Sequence, residues 1–499
     1  MSENNMRSDE NISTNVDRNI QIFQKTYRDC ADIKTKELYL GKNNDKKCFL
    51  AYIEVALDIN SFGESSIGTL VKNIEAGLSP KEAKVADVTE VTDIKEALDV
   101  ILVGNVLLFI DGCDYALNIG DKGYPGLGVT ETDSEKVIRG SNEGFSESIK
   151  INTALVRRRI RSRDLKVKET KAGVRSNTTV DIMYMKDIAY PHVVAEIVRR
   201  LERYEIDGVL DSGVIEQLAE EKWYSPFPEF QTTRRPDRAA MAVLEGRVVV
   251  LCDNSPIALI LPTDFNSFLK TTDDYYNRFE VATFARIIRY VSAFFAMTLP
   301  GLYLAVTNFH TQILPTSLLL SFWEARIGCP FPEVVEVVLM ELSFELLREA
   351  GIRLPGAMGN TIGIVGGLII GQAAVDANLV SPIVVIVVAF TALCSFAIPN
   401  EEFAFSFRIL KFVIIALSAW LGYFGFLLGI YLVLVHLSKL VSFGIPYLSP
   451  FVAYGSGKAE GIGESIVRKP FRLLKYRPIY ARRNQRVKML RRENSKNNN

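Results

Sequence analysis

The sequence predicts an α/β (α+β) soluble amino-terminal region of two subdomains followed by a polytopic α-helical membrane domain. Three observations predict it. With 499 residues, 48% of them hydrophobic, and a mean hydropathy of +0.13, the chain is too long for one ordinary domain and too apolar for a wholly soluble one. Its charged residues concentrate before about residue 285, whereas nearly all long apolar runs fall between 287 and 437. Within the charged part, helical and strand periodicities alternate, the pattern of mixed α/β units.

Residues 1–18 are polar and read as a disordered start, with no basic segment leading into an apolar one as in a cleavable signal. The first soluble subdomain is expected over 19–130. Between about 20 and 104 its apolar residues recur at helical spacing, as in Leu70, Val71, Ile74, Ala76 and Leu78. Val106–Asp111 then reads as a strand, Gly112–Asp114 as a turn, and Gly120–Gly128 as a Gly/Pro-rich linker. The second subdomain, 140–285, opens with helical periodicity over Ile149–Ile160. A strand over Val180–Met185 and a helix from about His192 to Arg203 follow. The apolar runs Val248–Cys252 and Ile257–Leu261 flank Asp253-Asn254-Ser255-Pro256, a hairpin signature. No internal repeat is legible.

The membrane domain is expected over 287–450, with spans at about 287–307, 361–377, 380–397 and 409–436. Pro300 should kink the first. Between the first two, 332–349 carries Glu336, Glu341, Glu345, Arg348 and Glu349 among apolar residues and reads as an amphipathic interfacial helix. A basic tail, 451–499, follows, its last residues from 485 polar and expected to be disordered. The Lys/Arg bias places this tail in the cytoplasm, and the unsignalled start places the other end there too. Four crossings satisfy both.

The candidate site is Thr361–Asn378, TIGIVGGLIIGQAAVDAN. At 100° per residue Gly363, Gly367 and Gly371 share one face with Ala374, a small-residue row that lets helices approach closely. The opposite stripe, Thr361, Val365, Ile369, Gln372 and Asp376, combines apolar residues with an amide and a carboxylate. An intramembrane carboxylate is costly unless it faces a bundle interior or water, so the stripe suits the lining of a pore. A tightly packed structural helix with Asp376 at its polar end has the same pattern, and the segment alone leaves both readings open.

Other chemistries find little support. The six cysteines lie far apart without a C-x-x-C pair, and the three histidines have no metal-ligand spacing, so neither metal nor cofactor is expected. The glycines of Gly123–Gly128 are in the wrong order for a dinucleotide fingerprint, and no P-loop or nucleophile elbow occurs. No enzyme is expected. The basic run Val156–Arg163 lacks the interleaved aromatics of a single-strand binder, and with 58 acidic residues balancing 58 basic ones no nucleic-acid partner is expected. A solvated helix face is its plainest reading.

Several stretches in one order resemble the A subunits of GerA-type spore germinant receptors. They are IDGVLDSG (Ile206–Gly213), YSPFP (Tyr224–Pro228) with RPD (Arg235–Asp237), LEGRVVVL (Leu244–Leu251), PFPEVVE (Pro330–Glu336), LLREAGIRLP (Leu346–Pro355), Thr361–Ser381 and SFGIPYLSP (Ser442–Pro450). One position departs: Arg234 stands where the family has Glu in Thr-Glu-Arg-Pro-Asp. The resemblance implies a multi-pass protein of the endospore inner membrane, both termini on the core side, working with a transporter-like B subunit and a lipoprotein C subunit. It also implies a homo-oligomeric ring around a nutrient-gated pore for monovalent cations, with the pore helix at Thr361–Ala377. The alternatives are a non-conducting scaffold, such as a sporulation-stage paralogue that organises receptors, and a secondary transporter, which the absence of an inverted hydropathy repeat disfavours.

Overall fold

The computed structural model describes residues 11–40, 46–54, 66–76, 78, 88–120, 135, 137, 139–353, 367, 371–452 and 462–489. Its soluble part holds two five-stranded sheets. The first unit comprises α1 (Val16–Thr26), β1 (Ile33–Leu40), β2 (Lys46–Ile53), α2 (Ser66–Glu75), β3 (Val88–Val91), α3 (Ile94–Leu102), β4 (Val106–Ile110) and β5 (Ala116–Ile119). The second comprises α4 (Ile149–Arg159), β6 (Leu165–Ala172), β7 (Thr178–Met185), α5 (Pro191–Leu201), α6 (Ser212–Ala219), β8 (Gln231–Thr233), α7 (Pro236–Leu244), β9 (Val248–Cys252) and β10 (Ala258–Leu261).

Strand order is β1-β2-β4-β5-β3 in one sheet and β6-β7-β9-β10-β8 in the other. Both orders are first-second-fourth-fifth-third, every pairing is antiparallel, and helices cover both faces. The two units therefore repeat one topology although no sequence repeat is visible. Alternation sorts the sides of each strand: in β2, Phe49 and Ala51 meet α1 and α3, while Cys48 and Leu50 meet α2. The β1–β2 hairpin corrects the expectation of helical spacing throughout 20–104; IKTKELYL alternates with period two, and among the described residues the helices there are α1, 66–75 and 94–102. The expected hairpin at 248–261 forms, with Leu251 opposite Ala258.

The basic run is largely engaged in ion pairs, with Arg161 exposed. Arg157 is fully buried and forks onto Asp32 of the first unit, at 2.7 and 2.9 Å; Arg158 and Arg159 share Glu143, and Arg163 reaches Asp99. With backbone hydrogen bonds linking Asp29 and Ala31 to Val167, the Arg157–Asp32 and Arg163–Asp99 pairs fasten the two units together. Within the expected disordered start, residues 11–18 are described and packed, and so is the tail ahead of 485. Ile12 and Val16 are buried, and within 462–489 Tyr480 and Ala481 pack on the second unit, with Arg482 N–H donating to Ile188 O at 2.9 Å. Apolar and aromatic anchors outweigh the tail's overall polarity.

After α8 (Phe265–Leu269) and α9 (Asp273–Tyr276) the chain enters a helical layer: α10 (Phe279–Phe309), α11 (Thr316–Glu324), α12 (Glu333–Arg353), α13 (Pro382–Phe396) and α14 (Glu401–Lys439). α10 and α14 are the helices long and apolar enough to cross a membrane among the described residues. α13 follows the expected 380–397 but has 15 residues, about 22 Å, short of a hydrocarbon core of roughly 30 Å. Most of 361–377 lies outside the described residues.

The expected single span 409–436 is instead a hairpin. α14 breaks at Gly422, whose φ of 60° and ψ of −137° suit only glycine. A Cβ at Gly425 would strike the Leu417 carbonyl, and one at Gly429 would lie 3.1 Å from Ile414, so the second half runs back along the first. Their far ends meet at the soluble part, where Phe227 touches both Phe403 and His436. Hydropathy measures composition and cannot see the reversal.

Candidate functional site

Near the candidate segment the chain runs as a packed set of antiparallel helices. α12 starts beside the far end of α10, where Tyr303 and Thr307 hydroxyls donate to Glu333 at 3.2 and 2.7 Å. It ends beside the base of α14, where Arg408 contacts Glu345 at 3.1 Å. The expected interfacial helix 332–349 packs within the helical layer, with Glu333, Glu336 and Glu341 buried alongside Val337 and Met340. Each buried carboxylate has a partner. Arg326 serves Glu333 and Glu336, the Ser381 N–H donates to Glu336 at 2.9 Å, and Lys411 contacts Glu341 at 2.5 Å and Glu345 at 3.3 Å. In a low-dielectric layer such partners are what make a charge tolerable. Sequence reasoning missed these pairs, though Lys411 within FRILKFVII was a signal that a carboxylate must lie opposite.

Of the segment's predicted residues, the structure describes Gly367, Gly371, Gln372 and Asp376; Thr361, Gly363, Val365 and Ile369 lie outside the described residues. Residues 371–376 are helical. Gly371 is buried, and a Cβ there would lie 3.4 Å from Val385 of α13; one at Gly367 would lie 3.9 Å from the Phe344 ring of α12. Ala374 and Val375 join the same cluster with Val337, Val384 and Val388. Gln372 and Asp376 are exposed on the other side. Gly367 and Gly371 thus abut two neighbouring helices, and the Gln372 amide and Asp376 carboxylate face away from them.

Between this layer and the second unit lies a cavity of about 640 Å³ whose walls include Glu216, Glu220, Glu349, Glu402, Arg234 and Arg408. Burial pushes the Glu216 carboxyl up to about 9 and Glu220 to about 7, with repulsion from neighbouring carboxylates adding to it. Arg234, the departure from the family motif, is exposed at this cavity, while its neighbour Arg235 is buried and pairs with Asp237 at 2.8 Å. The proline-set YSPFP stretch is the join itself. Phe227 sits among Phe403, Phe407, Tyr447 and His436, and Tyr447 Oη donates to Pro228 O at 3.0 Å. Among the described residues no cluster of His, Cys, Asp or Glu has the arrangement of a metal centre.

A family model described as Bacillus/Clostridium GerA spore germination protein matches residues 21–480. The chain belongs to the GerA family. Among GerA relatives, spore germination protein KA of Bacillus subtilis (strain 168) is 37% identical over 96% of this chain and 88% of its own length. Spore germination protein A1 of the same organism is 39% identical over 85% of this chain and 88% of its own. GerLA of Bacillus cereus is 38% identical over 79% and 80%. A crystal structure of the N-terminal domain of the A subunit of the Bacillus megaterium spore germinant receptor GerK3 aligns with 51% of this chain and 97% of that one, at 27% identity and a TM-score of 0.39.

Proposed function

We propose that this GerA protein is the A-type subunit of a nutrient-responsive germinant receptor in the spore inner membrane, and that copies of it assemble around a cation-conducting pore that opens to trigger germination. The reading gives it no enzymatic role and no cofactor. Transporter-like B and lipoprotein C subunits are its partners, and monovalent cations its permeant species. Family membership supports the receptor role.

One observation carries the pore: Gln372 and Asp376 are exposed on a segment whose glycine face abuts α12 and α13. In an apolar layer an outward carboxylate is stable against water, not lipid, so the stripe Thr361, Val365, Ile369, Gln372 and Asp376 is read as lining an aqueous path between protomers. Gly363, Gly367 and Gly371 hold the helix in place from behind. The hairpin in α14 brings both of its ends to the same side of the helical layer, next to the second unit.

Val365 and Ile369 are read as apolar constrictions that close the path by dewetting. Val365→Ala and Ile369→Ala should therefore leak, with loss of core cations and premature germination in developing spores. Normal dormancy in both variants, at normal protein levels, would remove the stripe from the permeation path.

A further inference from the structure

The chain has three tryptophans, Trp223, Trp323 and Trp420, and all are exposed, to 83, 63 and 76%. They belong to segments far apart in sequence, yet each lies at an end of the helical layer. Trp223 is at the near end, beside the second unit. Its neighbours are tied to the last turn of α14: Lys222 Nζ donates to the Lys439 carbonyl at 2.6 Å, and the Ser225 hydroxyl meets His436 Nε2 at 2.9 Å. Tyr224, also exposed, stands edge-on to the Trp223 ring with centroids 6.0 Å apart. The other two tryptophans are at the far end. Trp420 precedes by two residues the break at Gly422, which packs against Phe309 where α10 ends. Trp323 is in α11, a helix with no buried residue, held there by Phe322 against Tyr303 and by Arg326 on Glu333 at 3.0 Å.

What separates the two levels is apolar. From Phe412 to Val435 the chain has no charged residue, and on the returning arm of α14 Phe424, Leu427, Tyr431 and Leu434 are exposed at helical spacing. That arm, Gly422 to Lys439, rises about 26 Å, close to a hydrocarbon core of roughly 30 Å. The nine residues of α11 rise only about 14 Å, too short to cross. An exposed indole suits neither bulk water nor hydrocarbon, because its body is apolar and its N–H needs an acceptor. A headgroup layer satisfies both.

We propose that phospholipid headgroups cover these three tryptophans, Trp223 with Tyr224 in one layer and Trp323 with Trp420 in the other, so that α11 lies along the far lipid surface. This seating rests on the membrane reading of the layer and adds a depth to it: the join at Phe227, which couples the second unit to both ends of α14, is level with the near lipid surface.

The test is fluorescence quenching of the full chain in vesicles of phosphatidylethanolamine and phosphatidylglycerol. Paired phenylalanine substitutions leave one tryptophan at a time: Trp323→Phe with Trp420→Phe isolates Trp223, Trp223→Phe with Trp420→Phe isolates Trp323, and Trp223→Phe with Trp323→Phe isolates Trp420. Each should lose more emission to a lipid with a nitroxide on its headgroup than to one with the nitroxide at the end of its acyl chain. Tyr431→Trp, with all three tryptophans replaced by phenylalanine, reports the middle of the α14 arm and should show the reverse order. A native tryptophan quenched by aqueous iodide and by neither lipid, or quenched most by the chain-end lipid, would overturn the seating; with Tyr431→Trp still quenched by the chain-end lipid, the membrane reading would stand. No lipid quenching in Tyr431→Trp either would remove both.

Discussion

Lys411 and Glu341 form the pair on which the interior of the helical layer most depends, since both are nearly fully buried and meet at 2.5 Å. Removing only the cation strands the carboxylate, so Lys411→Met should cost about 3–5 kcal/mol, while Lys411→Met with Glu341→Leu should regain most of it. Denaturant unfolding in detergent measures both. A second buried carboxylate lies in the soluble part. Asp181 has one oxygen on the Thr153 hydroxyl at 2.9 Å and the other unpaired, and burial raises it to about 7. Its folded value exceeds the ordinary carboxylate value of 3.8, so the folded state holds the proton longer. The stability this contributes is full below about pH 4 and lost as pH rises through about 7, with a ceiling of about 4 kcal/mol. Asp181→Asn should flatten that slope and stabilise the protein at neutral pH, as thermal melts across pH 4–8 would show. Neither residue's role was legible beforehand: a sequence shows that Lys411 needs a counter-charge without saying which of Glu336, Glu341 or Glu345 supplies it.

At the scale of elements, what was legible followed local period. The 149–160 helix, the 180–185 strand and the 248–261 hairpin each bury a face set by their own spacing, and each forms close to its expected bounds. Reversals were less legible. In α14 the row Gly422, Gly425, Gly429 was the signal for a tight hairpin, hidden inside an unbroken apolar run. At Gly422 a Cβ would lie 2.7 Å from the Phe309 ring, in addition to the strain of its backbone angles. Gly422→Ala should therefore destabilise by about 1–3 kcal/mol, seen as a lower melting temperature in detergent. Gly371→Leu should have a similar cost from overpacking against Val385, about 1–3 kcal/mol, and should reduce assembly on native gels.

Across the whole molecule, two units of one topology stand on a helical layer and are joined to it through Phe227, the 264–276 segment and the tail. The division between the two-sheet part and the helical layer was legible from where charge and apolar runs fall. The repeated topology was not, because a fold tolerates wide substitution once alternation and volume are kept. Of the candidate site, Gly367 and Gly371 lie near α12 and α13, whereas nothing local could reveal that α12 itself lies inside the layer. The central claim is that the stripe ending in Asp376 lines a cation path. Reversal potentials in planar bilayers holding the chain with its B and C partners test it most directly, in the wild type and in the nearly isosteric Asp376→Asn. The account predicts a nutrient-dependent, cation-selective current whose selectivity falls in the variant, since a ring of carboxylates in low-dielectric walls focuses a field that favours cations. No current from the wild-type complex, or the same cation selectivity after Asp376→Asn, would contradict it.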